Sequence, residues 1–360
     1  DIKVSFNALT NPGFETSTIS GWTDNDQGTG TSTETTTGAE VRTGTNACEM
    51  NGTSASNYGS RYQDITVNAG EFRQAKTYAI AIGSGTAKLF LLNLRTGKYY
   101  NGSAWTTTRT AAGSSTSTSY TAVTVVYQVE SFDACRSDTV SLRWEIACES
   151  GNVAFDDCLD VPGVNFGSIH GHNLGGVMSA GLGISINSSD NNWLASETHV
   201  FMTPKRPAFF STFSIAYHEY WRFAWDTTNI EPAYIGEAVL GQYQTSATSP
   251  QWGIPKTRSF PGIRTRSAGA RHHVYNFAVD PPQDIEATFS ARSASDAAEI
   301  ENLWLRSAQG MNPTIFVPID TEADVYYGRL IEPITVQRPF SGVYDTTLRL
   351  MGDPLPTIGL

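Results

Sequence analysis

Short runs in which apolar and polar residues alternate are the main pattern along this chain. Between residues 139 and 146, Val140, Leu142 and Trp144 alternate with polar residues. A period of two places the apolar side chains on one face, so the run predicts a half-buried strand. Comparable strand-like runs lie at 76–82, 87–94, 122–129 and 153–159. Their length and spacing predict a β-sandwich.

Turn residues and prolines divide the pattern. The sequence Glu149-Ser150-Gly151-Asn152 predicts a turn closing a terminal hairpin of the first domain. Pro162-Gly163 then interrupts the strands, and such punctuation favours a domain boundary. We therefore expect a first domain at residues 1–161.

The rest of the chain also reads as short strands. We expect a second sandwich-like domain, of jelly-roll or discoidin-like type, at residues 162–244, and a β-rich assembly region at 245–360. The stretch 243–261 is rich in Ser, Thr, Pro and Gly and indicates a linker or long loop. The fold class is therefore predicted to be mainly β.

One segment has a helical pattern instead. Ala297, Ile300 and Trp304 recur at helical spacing, which predicts an amphipathic helix at about 295–309. Ser295 is the expected N-cap, and Gly310 follows as a stop signal.

The distribution of charge along the chain limits the classes of partner that it is expected to bind. The net charge of −11 is spread evenly, with 11 basic and 17 acidic residues up to Asp160 and 13 and 18 after it. A chain without a basic field cannot release many counterions from phosphates, so nucleic acid and anionic membrane surfaces are not expected partners. No apolar run reaches the length of a membrane span, so membrane insertion is not expected either.

The four cysteines, Cys48, Cys135, Cys148 and Cys158, all lie in the first half. Their spacing matches neither a zinc pair nor a dense disulfide framework. Buried thiols are the simpler expectation. One or two disulfides stay open if the protein matures outside the cytoplasm.

Two ends of the first domain carry a recognisable pattern. Asn11-Pro12-Gly13-Phe14-Glu15, followed by Gly21-Trp22, stands near the start, and Val153 to Cys158 contains the pair Asp156-Asp157. Between them lies Tyr62-Gln63-Asp64-Ile65. These pieces resemble the carbohydrate-binding modules attached to xylanases and cellulases, over roughly residues 4–161. Cys158 departs from that family, which prefers Val there. The resemblance implies a jelly-roll fold.

The same resemblance implies a structural calcium ion. In such modules the matching Glu and Asp hold the ion together with backbone carbonyls, which points to Glu15 and Asp156, with Asp157 as the fallback. Calcium takes six to eight oxygen ligands, so this set would tie the first strand to the last. The alternative is that Glu15 caps a turn and the Asp pair is solvated.

Sugar binding requires flat aromatic faces beside polar groups. The segment 98–105 favours a tight Asn101-Gly102 turn that would expose the flanking rings. Trp22 is more readily explained as a core residue. The candidate carbohydrate-binding residues are Trp22, Tyr58, Tyr99, Tyr100 and Trp105.

The second half resembles a different class of protein. His172-Asn173-Leu174, Ser189-Asp190-Asn191-Asn192-Trp193, Tyr220-Trp221-Arg222 and the closing segment 312–330 resemble segments of tailed-phage tail and baseplate proteins. This resemblance, over about residues 165–352, implies a virion component assembled in the host cytoplasm. Its partners would be other virion proteins, copies of itself and a host-surface glycan.

Catalytic signatures are missing from the sequence. It contains no Gly-x-Ser-x-Gly, His-Glu-x-x-His or Gly-rich phosphate loop. We therefore expect a non-enzymatic structural protein of a phage tail tip or baseplate, with the first domain serving host attachment or particle stabilisation. The alternatives are a secreted polysaccharide-binding protein and, less favoured, a glycan-cleaving enzyme, because paired carboxylates leave no local signature.

Overall fold

The computed structural model describes residues 2–16, 19–130, 139–172, 183–187, 198–201, 203–205, 208–224, 235–243, 250, 256–258, 262–266, 272–276, 283–306, 314–316 and 326–352. Within these residues the chain is mainly β, as the alternation predicts, and contains one helix.

The described residues before Gly163 contain thirteen strands. They are β1 (Ile2–Ser5), β2 (Thr23–Asp24), β3 (Thr31–Thr35), β4 (Ala47–Ser54), β5 (Asn57–Asn68), β6 (Phe72–Ile82), β7 (Ala87–Asn93), β8 (Lys98–Tyr100), β9 (Trp105–Thr106), β10 (Gly113–Ser115), β11 (Thr121–Gln128), β12 (Thr139–Cys148) and β13 (Gly151–Pro162).

The described elements after Gly163 are as follows. They are β14 (Val164–His172), β15 (Gly183–Asn187), β16 (Thr198–Phe201), β17 (Thr203–Lys205), β18 (Ala208–Ala216), β19 (Tyr220–Ala224), β20 (Ile235–Gly241), β21 (Lys256–Arg258), β22 (Gly262–Arg266), β23 (His272–Asn276), β24 (Gln283–Arg292), α1 (Ala294–Arg306), β25 (Thr314–Phe316), β26 (Tyr326–Leu330), β27 (Thr335–Phe340) and β28 (Val343–Gly352).

Strands β2 to β13 form one antiparallel sandwich. Their hydrogen bonds follow the path β11-β6-β13-β4-β5-β12-β7-β8-β9, with β3 on β4, β2 on β5 and β10 on β7. Because β5 pairs with both β4 and β12, it joins two sheets. We call β3, β4, β6, β11 and β13 sheet I, and β2, β5, β7, β8, β9, β10 and β12 sheet II.

The core lies between the two sheets. Met50 and Phe155 from sheet I and Leu89, Leu142 and Trp144 from sheet II are fully buried in one cluster. Along β12 the residues at even positions face this core, as the sequence alternation predicts. Burial of this apolar surface is the main contribution to the stability of the sandwich.

The predicted terminal hairpin is not a paired hairpin. β12 pairs with β5 and β7, whereas β13 pairs with β4 and β6. The turn therefore carries the chain from sheet II to sheet I. Gly52 allows this crossing, since a Cβ atom there would lie 1.9 Å from the carbonyl oxygen of Cys148. A turn sequence predicts a reversal of the chain but not the sheet that the next strand joins.

Two four-stranded sheets follow, in the orders β1-β19-β15-β16 and β17-β18-β14-β20. Trp221 of β19 packs against Phe213 of β18, with ring centroids 5.8 Å apart. The first of these sheets includes β1, which the sequence had assigned to the first domain. β1 pairs antiparallel with β19 from Ile2 to Ser5, so the N-terminal strand completes the sheet of the following region.

Further contacts hold the sandwich against that region. The backbone N of Phe6 donates to the Glu219 carbonyl at 2.9 Å. The side-chain amide of Gln242 donates to the Phe72 carbonyl at 2.7 Å and accepts from the Phe72 N–H at 3.1 Å. Only Gly163 separates β13 from β14. The sandwich and the sheets beside it are therefore joined by short, hydrogen-bonded segments.

The last sheet has the order β21-β24-β28-β26-β25, with β27 on β28, and α1 packs on one of its faces. The helix begins one residue before the predicted cap. The hydroxyl of Ser293, not that of Ser295, accepts a hydrogen bond from the Asp296 N–H at 3.2 Å, as the side chain of an N-cap residue does. β21 forms within the stretch predicted as a linker and pairs with β24.

Several predicted features fall on residues outside the described part of the chain. Cys135, the segment Ser189 to Trp193 and residues 307–309 of the predicted helix lie outside the described residues. Cys48, Cys148 and Cys158 are buried free thiols. Among the described residues, no helix has the length and hydropathy to cross a membrane.

Candidate functional site

The candidate carbohydrate-binding residues fall into three places on the sandwich. Trp22 lies in the core, where its ring packs against Phe14 at 5.1 Å and Trp144 at 5.7 Å. Its indole N–H donates to the Asn11 carbonyl at 3.1 Å. Trp22 is thus a core residue, and its ring is not free to stack on a sugar.

Tyr100 and Trp105 also turn inward. The chain does reverse there, but through a four-residue loop at 101–104, in which the Asn101 N–H donates to the Ala104 carbonyl at 3.0 Å and Gly102 has φ +93°. However, the rings of Tyr100 and Trp105 pack on each other at 5.4 Å and on Tyr127 at 6.1 and 6.4 Å. The expected exposure is therefore wrong for Tyr100, which is buried, and Trp105 is only partly exposed, because this short loop folds back onto the edge of the core.

Tyr58 and Tyr99 lie elsewhere, on the outer face of sheet II. Tyr58, Phe90 and Ala147 form a small buried cluster there, separate from the main core, and Tyr99 packs beside it. The rings of Phe90 and Tyr99 meet edge to face at 6.4 Å. Burial raises the pKa of the Tyr58 hydroxyl, although Arg109 opposes this rise, so the hydroxyl is neutral at physiological pH.

Arg109 covers these rings. Its guanidinium lies 3.9 Å from the Phe90 ring centroid and 4.5 Å from that of Tyr58, in the range of cation–π interactions. It also forms ion pairs with Glu145 at 3.0 Å and Glu149 at 2.5 Å. We call Tyr58, Phe90, Tyr99, Arg109, Glu145 and Glu149 the Arg109 cluster.

The electrostatics of the Arg109 cluster are balanced. Burial raises the pKa of Glu149, but hydrogen bonds from Lys88 and Arg109 outweigh it and hold that pKa below its usual value. Glu145 is only 3% exposed and also accepts a hydrogen bond from the Asn25 amide at 3.3 Å. Both carboxylates are therefore held as acceptors for fixed cationic or amide donors.

Four residues of the Arg109 cluster are not among the predicted site residues: Phe90, Arg109, Glu145 and Glu149. Two signals were present. Residues 89–92 form an uninterrupted apolar run, which indicates a strand covered on both faces. Arg109 is the only charged residue between Thr106 and Thr121. Glu145 gave no signal, since alternation places it on the wet face and only the fold shows the loop that covers it.

The predicted metal residues lie on the other side of the sandwich and meet at Gly13. A Cβ atom at Gly13 would lie 3.4 Å from Asp157 Oδ1, 3.7 Å from Glu15 Cγ and 3.8 Å from Asp156 Oδ1. The structure therefore brings the first turn and the last strand together at Gly13, next to the carboxylates of Asp156 and Asp157 and the aliphatic part of Glu15.

A loop around residues 42–46 binds all three carboxylates. Asp156 Oδ2 accepts from the backbone N–H groups of Arg42 at 2.8 Å and Thr43 at 3.1 Å. Glu15 accepts from the Thr45 N–H at 2.9 Å and from its hydroxyl at 3.0 Å. Gly44 must be glycine, because its φ is +69° and a Cβ atom would lie 2.1 Å from Glu15 Oε1.

Arg42 completes this arrangement. Its guanidinium pairs with Asp157 and lies 3.5 Å from the ring centroid of Tyr78 on the outer face of sheet I. Burial, reinforced by the charge of Asp157, raises the pKa of Asp156 to about 6 against the hydrogen bond from Thr43. We call Glu15, Arg42, Thr43, Thr45, Tyr78, Asp156 and Asp157 the Arg42 clasp.

The Arg42 clasp offers oxygen ligands. The Glu15 and Asp156 carboxylates and the hydroxyls of Thr43 and Thr45 are the hard donors that Ca²⁺ prefers. Among the described residues, no three His, Cys, Asp or Glu side chains are placed to share one metal ion. An ion here would therefore need backbone carbonyls and hydroxyls beside one or two carboxylates.

Comparison with known proteins gives only structural matches. No family model matches the sequence, and no curated protein matches it. The enzymatically active domain of tailspike protein 4 from bacteriophage CBA120 matches over 44% of this chain and 21% of its own, at 14% identity and a TM-score of 0.32.

Two further structures contain carbohydrate-binding modules. A Clostridium thermocellum endo-1,4-β-D-xylanase fragment solved with xylohexaose matches over 45% of this chain and 28% of its own, at 18% identity and a TM-score of 0.31. A tandem pair of family 22 modules from a Paenibacillus barcinonensis xylanase matches over 68% of this chain and 99% of its own, at 11% identity and a TM-score of 0.31. This chain thus spans 21% of the tailspike structure and 28% of the xylanase structure.

Proposed function

We propose that this chain is a non-enzymatic structural protein of a tailed-phage virion, at the tail tip or baseplate, whose sandwich binds a host-surface glycan. The observation that carries the glycan-binding part is the Arg109 cluster. It combines aromatic rings, a fixed guanidinium and two carboxylates on a sheet face, the mixture of apolar and polar groups that sugar binding requires.

The virion part rests on the sequence resemblance of residues 165–352 to tail and baseplate proteins. The short, hydrogen-bonded junction at Phe6, Phe72 and Gly163 supports it, since a module held firmly against an assembly region suits a particle. The partners in this proposal are other virion proteins and copies of the chain.

The test has two arms. Oligosaccharide binding by the purified chain should be saturable, and Tyr99→Ala should weaken it while leaving the melting temperature nearly unchanged. Tyr243→Ala, which removes an exposed tyrosine after β20, is the matched control. Mass spectrometry of purified particles should find the chain, and its absence from them would refute the virion role.

A secreted polysaccharide-binding protein is the second candidate, because the Arg109 cluster serves it equally well. It predicts the same sugar binding without the chain in particles. A glycan-cleaving enzyme has less support. A general acid needs a raised carboxyl pKa, whereas at the Arg109 cluster Lys88 and Arg109 hold the pKa of Glu149 below its usual value. Release of reducing ends from a bound polysaccharide would show that the chain is an enzyme.

We also propose a structural calcium ion at the Arg42 clasp. Glu15 and Asp156 would hold it together with threonine hydroxyls and backbone carbonyls, and the ion would supply a cation that ties the first turn to the last strand. The oxygen-only donor set supports this proposal. The amide hydrogen bonds already made to both carboxylates limit how many ligands they can offer.

A further inference from the structure

We infer that Arg109 is the residue by which the sandwich reads its ligand, and that the ligand is an uncharged glycan. The guanidinium would donate to neighbouring hydroxyls of a sugar ring lying across the outer face of sheet II. This inference rests on the proposed glycan binding and names its ligand class and its reading residue.

Arg109 is fixed in place by its partners. Glu145 is buried, and removing Arg109 from it would leave a buried carboxylate without its cation, which is strongly destabilising. Glu149 holds the other side of the guanidinium. The flat faces of Phe90 and Tyr58 under Arg109 are therefore not vacated for a sugar. A ligand would lie on the guanidinium itself.

The guanidinium keeps donors for such a ligand. It carries five N–H donors in a planar fork, and its ion pairs engage Nη1 with Glu149 and Nη2 with Glu145. The side chain is 26% exposed, so Arg109 is not fully enclosed by its partners. Its position is set in advance by two carboxylates and two rings, and such preorganisation lowers the entropic cost of binding.

The charges around Arg109 indicate the ligand class. Lys88 and Arg109 pair with Glu149, Arg109 also pairs with Glu145, and Arg143 forms a two-pronged pair with Asp64. These three cations are matched by three carboxylates on the same face. Among these residues, no cation is left without a carboxylate partner, so none is available to pair with an acidic sugar. A neutral sugar is therefore favoured.

The experiment measures binding of the full chain by calorimetry to neutral xylo-, cello-, manno- and galacto-oligosaccharides, and to oligogalacturonate, at low and high salt. We expect a neutral sugar to bind with little salt dependence. Arg109→Lys should bind it about tenfold or more weakly, because a lysine lacks the planar fork and a hydrogen bond to a charged group is lost. Arg349→Lys, in an exposed pair on β28 of the last sheet, is the matched control and should bind normally.

Three outcomes decide the matter. Equal or tighter binding by folded Arg109→Lys, or tighter, salt-sensitive binding of oligogalacturonate, would overturn the inference while glycan binding stands. Failure of the folded wild-type chain to bind any sugar of the panel would overturn the proposed function and the inference with it. Asn25→Ala provides a second variant that leaves the Arg109 ion pairs intact, and it should weaken binding less than Arg109→Lys does.

Discussion

The Arg42 clasp and the Arg109 cluster are built from the same kinds of residue on opposite faces of one sandwich. In each, a guanidinium lies on a tyrosine ring and pairs with an acidic side chain. They differ in what the carboxylates bind next. In the Arg42 clasp, Glu15 and Asp156 accept backbone N–H groups of a loop, whereas the carboxylates of the Arg109 cluster accept side-chain donors on a sheet face.

That difference separates a structural from a binding role. A carboxylate that satisfies backbone donors fixes the path of the chain, and its loss leaves those donors unpaired in the interior. A carboxylate that holds one guanidinium on a rigid sheet fixes the direction of donors that a ligand can use. The Arg42 clasp should therefore govern stability, and the Arg109 cluster should govern binding.

The largest expected effect comes from a change at Phe90, whose ring lies against the Arg109 guanidinium. Phe90→Ala should lower the free energy of unfolding by about 3–5 kcal/mol, because it removes a buried aromatic side chain and leaves a cavity. It should also abolish sugar binding, since Arg109 loses its support. Chemical denaturation and calorimetry measure the two effects. Phe72→Ala, at a 42% exposed position on β6, should change both far less.

The next effect should separate the two clusters. Asp156→Ala should cost about 2–4 kcal/mol of stability, since it leaves the N–H groups of Arg42, Thr43 and Asp157 without their acceptor. Sugar affinity, measured well below the melting temperature, should stay within about twofold of the wild type. A tenfold loss of affinity with the fold intact would show that the two faces are not independent.

Calcium should act on one cluster alone. If the ion binds, calcium at about a hundred times its dissociation constant should raise stability by about 2.7 kcal/mol over the chelated protein. Glu15→Gln should remove that gain, and Arg109→Lys should leave it. Equal melting temperatures with calcium and with chelator would rule out the proposed site.

The smallest effect is a pH dependence of the chelated protein. The pKa of Asp156 is raised to about 6 in the folded state, above the value of about 3.9 for an unfolded chain. The folded protein then binds the extra proton, so this residue lowers stability as pH rises from about 4 to 6, by about 1–3 kcal/mol. The difference in the free energy of unfolding between wild type and Asp156→Asn, followed over this pH range, isolates the contribution of Asp156. A difference that grows in the opposite direction would show that the pKa is not raised.

The alternation of apolar residues predicted the sandwich well, because the period of two belongs to the strand itself. The sheet that each strand joins depends on distant partners, which is why the turn at 149–152 was read as a hairpin. The same limit applies to β1, whose pairing with β19 spans more than two hundred residues and has no local signal.

The aromatic candidates show a similar division. The adjacent residues Asn101 and Gly102 predicted a reversal of the chain. Whether Tyr100 and Trp105 point outward depends on Tyr127, which belongs to another strand. The resemblance of the first domain to carbohydrate-binding modules predicted that Glu15 and Asp156 lie close together, and the structure places both beside Gly13. Arg109 could be identified as a site residue only from the fold. The loop that carries it has no strand pattern, and it reaches its partners only across sheet II.

The most direct test is a crystal structure of the full chain with the neutral oligosaccharide that binds most tightly. We predict a sugar ring across the outer face of sheet II, with two hydroxyls within hydrogen-bond distance of the Arg109 guanidinium and the pairs to Glu145 and Glu149 intact. A sugar bound elsewhere, or stacked on Phe90 with Arg109 displaced, would contradict this account.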